Sequence, residues 1–161
     1  MSHTHTAALT TGQAQASRLA RIRVSSLGAV AMLLIEFILG IIYNLYGTAP
    51  TAKKSIGLFS SPVLALHVIV FFLLVIAAVG QLIRAVGTRH RLTIWMSAIG
   101  LVAILAAGFA GIGFAGNGAA GASLGMSLAF AVALAAYVVL VFALPSSSAP
   151  SSSTTHPLST T

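Results

Sequence analysis

Residues 24–46 read VSSLGAVAMLLIEFILGIIYNLY, an apolar run that carries a single acidic residue, Glu36, near its middle. At 1.5 Å per residue, a helix of about 23 residues is long enough to cross a hydrocarbon core about 30 Å thick. Three further runs of similar length follow, at about residues 62–83, 92–115 and 122–144. The sequence therefore predicts four membrane-spanning segments.

The four runs are continuously apolar, which favours helices over the strands of a β-barrel. A strand in a membrane barrel would alternate apolar and polar residues over about 10 positions. Helices are the other structure that satisfies its own backbone hydrogen bonds in lipid. The predicted fold class is an all-α membrane protein, an antiparallel up-down bundle of four transmembrane helices.

The composition supports a surface that faces lipid. Of the 161 residues, 58% are apolar and 6% are charged, whereas a water-soluble surface needs roughly a quarter or more charged residues. The net charge of +7 comes from short basic clusters at the ends of the apolar runs. These clusters predict contact with the lipid bilayer and exclude nucleic acid as a partner. The chain has no cysteine, which excludes disulfides and thiolate metal sites.

The segments outside the runs are polar and of low complexity. Residues 1–20 are small and polar without an apolar period, and we predict a disordered cytoplasmic tail. Residues 21–145 form the predicted transmembrane domain. Residues 146–161 are rich in Ser, Thr and Pro and predict a second disordered tail.

The distribution of basic residues predicts the orientation. One side of the predicted bundle holds both termini and the connection between the second and third runs. It carries Arg18, Arg21, Arg23, Arg84, Arg89 and Arg91. The opposite side carries Lys53 and Lys54. By the positive-inside rule both termini lie in the cytoplasm, and we expect a multi-pass protein of the cell membrane.

Small residues recur at every fourth position in the third and fourth runs. The positions are Ala103, Ala107, Gly111 and Ala115 in the third run, and Gly121, Gly125, Ala129 and Ala133 in the fourth. Four-residue spacing places each set on one helix face, where small side chains let two backbones approach closely. The pattern predicts a tight antiparallel hairpin, although alanine and glycine are also generally abundant in membrane helices.

Glu36 is the most informative residue in the chain. An ionised acidic side chain at the centre of a membrane helix costs roughly 2.5 to 3.5 kcal/mol on insertion scales, so we expect Glu36 to face the bundle interior. Gly40 and Asn44 follow it at four-residue steps on one face. The default interpretation is a proton or cation site; the alternative is a neutral carboxyl that donates a structural hydrogen bond.

His67 lies about one and a half turns inside the second run. Counting 1.5 Å per residue, its depth is that of residues around Ile41, so Glu36 and His67 can hydrogen-bond or share a proton. The alternative for His67 is a bond to a backbone carbonyl. Asn117 lies at the outer turn, where an Asn-Gly pair also favours turn formation. The candidate substrate- or ion-binding residues are therefore Glu36, Asn44, His67 and Asn117.

Three functional hypotheses fit these residues. The first is a small proton- or cation-coupled transporter or a transporter subunit, which needs a homo-oligomer or a larger membrane partner to enclose a path. Its outline, four spans with one acidic residue in the first, is similar to that of small multidrug transporters. The second is a non-catalytic membrane assembly or interaction component with a structural polar cluster.

The third hypothesis is a redox protein in which His67 and Met126 ligate haem iron, or hold copper together with Glu36. Haem-binding four-helix membrane proteins usually show paired histidines on facing helices, and here the predicted spans contain one histidine. For Met126, ordinary packing is the alternative. We therefore predict no cofactor. The chain shows no Ser-His-Asp set, carboxylate pair or Gly-rich phosphate loop, so we expect it not to be an enzyme.

Overall fold

The computed structural model describes the backbone of residues 3–144 and the side chains of residues 13–144. It contains four helices: α1 (His3–Tyr46), α2 (Pro62–Thr88), α3 (Arg91–Asn117) and α4 (Ala120–Ala143). All four are long and apolar enough to cross a membrane, so the chain is a multi-pass membrane protein by helix length and hydropathy. The tail predicted at residues 146–161 lies outside the described residues.

The helices form a closed ring in chain order. Each packs against the next, α1 also packs against α4, and the α3–α4 contact is the most extensive. Over residues 3–144 no contact joins the diagonal pairs, α1 with α3 or α2 with α4. This arrangement confirms the predicted fold class, an up-down bundle of four helices.

The inward face of each helix follows a seven-residue repeat. In α1 the buried positions alternate in steps of three and four: Leu19, Ile22, Ser26, Ala29, Leu33 and Glu36. Such spacing keeps one stripe of a helix against its neighbours along its whole length. Large apolar side chains such as Phe72, Ile76 and Phe142 lie on the outside. Polar side chains inside and bulky apolar ones outside are expected where the surrounding solvent is hydrocarbon.

Helix α1 begins much earlier than the predicted start of the first span at residue 24. The backbone is helical from His3, within the segment that the sequence predicts to be disordered. Leu19 and Ile22 are buried against the bundle, and this packing explains why the helix continues there. The 34 residues of Gln13–Tyr46 extend about 50 Å, so part of α1 projects beyond a 30 Å hydrocarbon core.

The connections between helices use ordinary capping chemistry. Ser61 caps α2 by accepting a hydrogen bond from the Leu64 amide at 3.2 Å, and Pro62 follows at the first turn. Arg89, with φ 55°, closes α2, and Gly118, with φ 68°, closes α3. A side chain at Gly118 would also collide with the backbone of Pro50, so glycine is required there twice over.

The two ends of the bundle have different character. The loop end comprises the α1–α2 loop and the α3–α4 turn. The Ile56 amide of the loop donates to the carbonyl of Ala115, near the end of α3, at 2.9 Å. The basic end comprises the start of α1, the α2–α3 turn and the end of α4. All six arginines of the chain lie at or near the basic end, whereas its two lysines, Lys53 and Lys54, lie at the loop end.

Helices α3 and α4 pack through small residues, as the spacing predicts. An added Cβ at Gly111 would lie 3.6 Å from the Met126 sulfur, and one at Gly125 would lie 3.8 Å from the Ala110 Cβ. Ala103 and Ala133 of the predicted ladders are buried, whereas a Cβ at Gly121 would meet nothing within 4 Å. Burial or close contact therefore holds for four of the eight predicted positions: Ala103, Gly111, Gly125 and Ala133.

Candidate functional site

The candidate site is formed by Glu36 of α1 and His67 of α2. Glu36 follows Leu33 by three residues on the buried stripe of α1 and is 9% exposed. His67 follows the buried Leu64 by three residues on the stripe of α2. Since α1 and α2 pack along these stripes, the two side chains meet inside the bundle.

The two side chains are close but do not complete a hydrogen bond. His67 Nδ1 and Glu36 Oε2 are 3.5 Å apart, longer than the usual 2.9 to 3.0 Å for nitrogen and oxygen. Both atoms are buried, and neither has a hydrogen-bond partner among the described residues. An unsatisfied buried polar atom costs about 1 to 3 kcal/mol, so a role beyond packing is worth seeking here.

Gly40 makes the approach of the two helices possible at this level. It lies one turn beyond Glu36 on α1, and an added Cβ there would be 3.7 Å from His67 Cε1. The imidazole therefore lies over the bare backbone of Gly40. The space that Gly40 leaves beside the carboxyl is used by the His67 side chain of α2.

The chemistry available to this pair is proton transfer. A hydrogen on Nδ1 can be donated to the carboxylate, and a hydrogen on the carboxyl can be donated to the imidazole nitrogen. The His67 side chain is 26% exposed and that of Glu36 is 11% exposed. The imidazole is therefore the more exposed of the two groups.

The other predicted site residues are not brought to this pair. Asn44 is exposed, two turns further along α1. The Asn117 side chain accepts a hydrogen bond from the Ala119 amide at 2.9 Å, which is turn chemistry. Met126 packs on Gly111 of α3. Among the described residues no group of three His, Cys, Asp or Glu is placed to hold a metal ion.

A second polar contact between α1 and α2 lies nearer the basic end. Gln81 Nε2 donates to Ser26 Oγ at 2.8 Å, and Ser25 donates to Gln81 Oε1 at 3.2 Å. Ser26 in turn donates to the Ile22 carbonyl at 2.9 Å. The pairing of Gln81 with these serines was not predicted from the sequence. We call these three residues the amide clamp.

Two further buried polar groups, also missed from the sequence, lie on α3 and α4. Ser97 and Tyr137 are each fully buried, and their hydroxyl oxygens have no hydrogen-bond partner among the described residues. The Tyr137 ring lies against Gly100, where an added Cβ would be 2.9 Å from ring atoms Cε2 and Cζ. The seven-residue repeat was the available signal, because Ser97 and Gly100 continue the stripe that begins at Thr93.

The fold and this site together define a class: a multi-pass membrane protein whose four-helix bundle buries a carboxyl–imidazole pair. Comparison with known proteins adds no closer assignment. No family model matches the chain, and no curated protein or solved structure gives a match. The function is therefore argued from the geometry of the pair.

Proposed function

We propose that the protein is a proton-coupled transporter, or the membrane subunit of one, rather than an enzyme. The Glu36–His67 pair takes up and releases the coupling proton. The observation that carries this proposal is the contact of Glu36 Oε2 and His67 Nδ1 at 3.5 Å. Both atoms are buried, and neither has a hydrogen-bond partner in the part of the chain that the structure describes. An ionisable residue within a membrane span is by default a candidate for a proton or ion pathway.

A proton fits the pair better than a larger hard cation. Ions such as Ca²⁺ and Mg²⁺ require about six or more oxygen ligands, and Mg²⁺ keeps a strict octahedral geometry. The pair offers one carboxyl and one imidazole, and Glu36 is the only acidic side chain of the chain. A proton needs only one donor and one acceptor, which the pair supplies.

The translocation path of this proposal runs along an interface with a second copy or a larger partner. The centre of the single bundle is filled by apolar side chains, including Leu33, Leu74, Ile104 and Leu140. A hydrophilic substrate therefore finds no route through one copy. The partly exposed side of His67 is where we place the access to that path.

The proposed orientation has the basic end in the cytoplasm and the protein in the cell membrane, because arginines concentrate at that end. The absence of native cysteine allows a direct test with single cysteines at exposed positions. We expect an impermeant maleimide added to intact cells to label Ser60→Cys in the α1–α2 loop. His90→Cys in the α2–α3 turn should react only after lysis, and the reverse pattern would contradict the orientation.

The transport proposal is tested in vesicles that contain a trapped pH dye. Reconstituted protein is given an imposed membrane potential, and proton entry is followed with time. We expect parent vesicles to acidify, Glu36→Gln vesicles to match protein-free vesicles, and His67→Gln vesicles to be slowed. His90→Gln, which removes an exposed histidine at the α2–α3 turn, is the matched control and should behave as the parent.

Infrared spectroscopy provides a readout that does not need a substrate. Because Glu36 is the only acidic side chain, a buried carboxyl band that responds to bulk pH and disappears in Glu36→Gln belongs to it. A parent that neither conducts protons nor shows such a band contradicts the proposal. If Glu36→Gln lowers stability without changing flux, the pair is structural and the protein is a non-catalytic membrane component.

A further inference from the structure

A cleft of about 250 Å³ opens between α1 and α2 at the basic end. It is lined by Arg18, Arg21, Ile22, Arg84, Gly87 and Thr88. We call it the arginine cleft. It is separate from the Glu36–His67 pair, since Glu36 lies 15 residues, or about 22 Å, along α1 from Arg21.

The cleft exists because α1 continues toward the N-terminus beside the last turns of α2. Arg18 and Arg21 are three residues apart and share one face of α1, while Arg84 and Thr88 are four apart on α2. Gly87 lies between them in sequence, and an added Cβ there would meet nothing within 4 Å. The missing side chain at Gly87 therefore contributes to the open space.

No acidic side chain balances the charges of the cleft, since the one acidic residue of the sequence, Glu36, lies elsewhere. Three arginines line the cleft, and Glu36 lies beside His67 instead. Arg84 is held at the α1–α2 contact by donating to Ser25 Oγ at 3.3 Å. Three like charges around one small cleft repel one another, and a bound anion would relieve this repulsion.

The surroundings of the cleft indicate the kind of anion. Ile83, four residues before Gly87 on α2, is 69% exposed, so apolar surface adjoins the charged cleft. Arginine forms paired hydrogen bonds with phosphate oxygens, and basic pockets between membrane helices bind anionic headgroups. We propose that the arginine cleft binds the phosphate of an anionic phospholipid, whose acyl chains lie along Ile83.

The proposal is tested with full-length protein stripped of lipid in a non-ionic detergent. Dioleoyl phosphatidylglycerol is titrated in, and bound lipid is counted by native mass spectrometry. Dioleoyl phosphatidylcholine and inorganic phosphate are titrated separately. We expect one saturable phosphatidylglycerol per copy, no comparable binding of phosphatidylcholine, and no displacement of the lipid by an equal concentration of phosphate.

Two variants test the cleft in different ways. Arg84→Gln removes one guanidinium, and Gly87→Leu fills the cleft without removing charge. A hydrogen bond to a charged group contributes about 1.5 to 3 kcal/mol, so Arg84→Gln should weaken phosphatidylglycerol binding about tenfold or more. Gly87→Leu should give a similar loss. Arg21→Gln replaces Arg84→Gln should the latter fail to fold, since Arg21 lines the cleft from α1.

Matched controls exist for both variants. Arg91→Gln removes a charge at the same end but outside the cleft, and Gly28→Leu adds the same side chain where nothing lies within 4 Å. Both should bind as the parent does. Equal loss in Arg91→Gln, full binding in Gly87→Leu, or equal binding of phosphatidylcholine would each overturn the proposal. Displacement of the lipid by inorganic phosphate would contradict a phospholipid as the ligand and would indicate a site for free phosphate.

Discussion

The two helical hairpins of the bundle are held together by different forces. Helices α1 and α2 meet through the amide clamp and the Glu36–His67 pair, at two levels of the same interface. Helices α3 and α4 meet through glycine and alanine, with the Tyr137 ring seated on Gly100. Among the described residues, side-chain hydrogen bonds between helices therefore occur in the first hairpin, and close packing against glycine occurs in the second.

The two polar contacts of the first hairpin also differ from each other. In the amide clamp the Gln81 amide both donates and accepts, and its partner Ser26 has a further acceptor in Ile22. In the Glu36–His67 pair neither facing atom completes a hydrogen bond. A neutral, satisfied network suits a fixed helix register, whereas an unsatisfied pair that can exchange a proton suits a change of state.

The largest effect on stability should come from breaking the second hairpin. Gly100→Val places a Cβ about where the Tyr137 ring stands, 2.9 Å from two ring atoms. Tyr137 is fully buried, so the ring cannot move aside freely, and overpacking of this kind costs about 1 to 3 kcal/mol. The free energy of unfolding, measured in mixed micelles with increasing dodecyl sulfate, should fall accordingly.

Gly116→Val is the control for that prediction. Gly116 lies on the same helix, and an added Cβ there would meet nothing within 4 Å. The control should change the free energy of unfolding by no more than a few tenths of a kcal/mol, because valine is no poorer a helix former than glycine. Equal losses in the two variants would mean that the contact between Gly100 and Tyr137 contributes little to the α3–α4 hairpin.

An intermediate effect is expected when the amide clamp is removed. Gln81→Leu keeps a similar volume but deletes the bonds to Ser25 and Ser26. Interhelical hydrogen bonds in membranes contribute about 0.6 kcal/mol on average and up to about 1.7, so unfolding should become about 1 kcal/mol easier. Ser26 keeps its bond to Ile22, which limits the loss.

The clamp prediction separates stability from function. Gln81→Leu should leave proton entry in vesicles unchanged, because the clamp exchanges no proton. Gln15→Leu, the same replacement at an exposed position of α1, should change neither stability nor flux. A double-mutant cycle of Gln81→Leu with Ser26→Ala isolates the bond itself. Zero coupling energy in that cycle would mean that the hydrogen bond of the clamp does not stabilise the contact between α1 and α2.

The sequence predicts the spans well because hydrocarbon imposes simple rules. A run of about 20 apolar residues leaves a helix as the only local solution. The pairing of Glu36 with His67 was also predictable, since counting residues from the membrane surface fixes depth. Depth alone does not fix rotation, however. Asn117 was placed at the outer turn and Met126 was considered as a partner of His67, yet Asn117 bonds within its own turn and Met126 packs on Gly111.

Two other features required the structure. The amide clamp was not predictable because a serine in an apolar run, such as Ser26, gives no sign of which neighbouring helix it faces. The early start of α1 was not predictable from hydropathy. A hydropathy pattern indicates which residues lie in the hydrocarbon core, but it does not indicate where the helix begins. Leu19 and Ile22 stabilise that extension by packing on the bundle, and this tertiary contact leaves only a weak trace in a polar segment.

The smallest effect on stability is predicted for Glu36→Gln, the variant with the largest expected effect on flux. The amide fills the same volume, and no completed hydrogen bond is lost, because Oε2 and Nδ1 stand 3.5 Å apart without bonding. We expect the free energy of unfolding to change by less than about 0.5 kcal/mol, within the range of substitutions that break no buried interaction. A loss as large as that of Gln81→Leu would place Glu36 in the same structural role as the amide clamp. Unchanged stability with lost proton entry would instead show that the two polar contacts of the first hairpin have different roles. The amide clamp would hold the helices together, and Glu36 would transfer a proton.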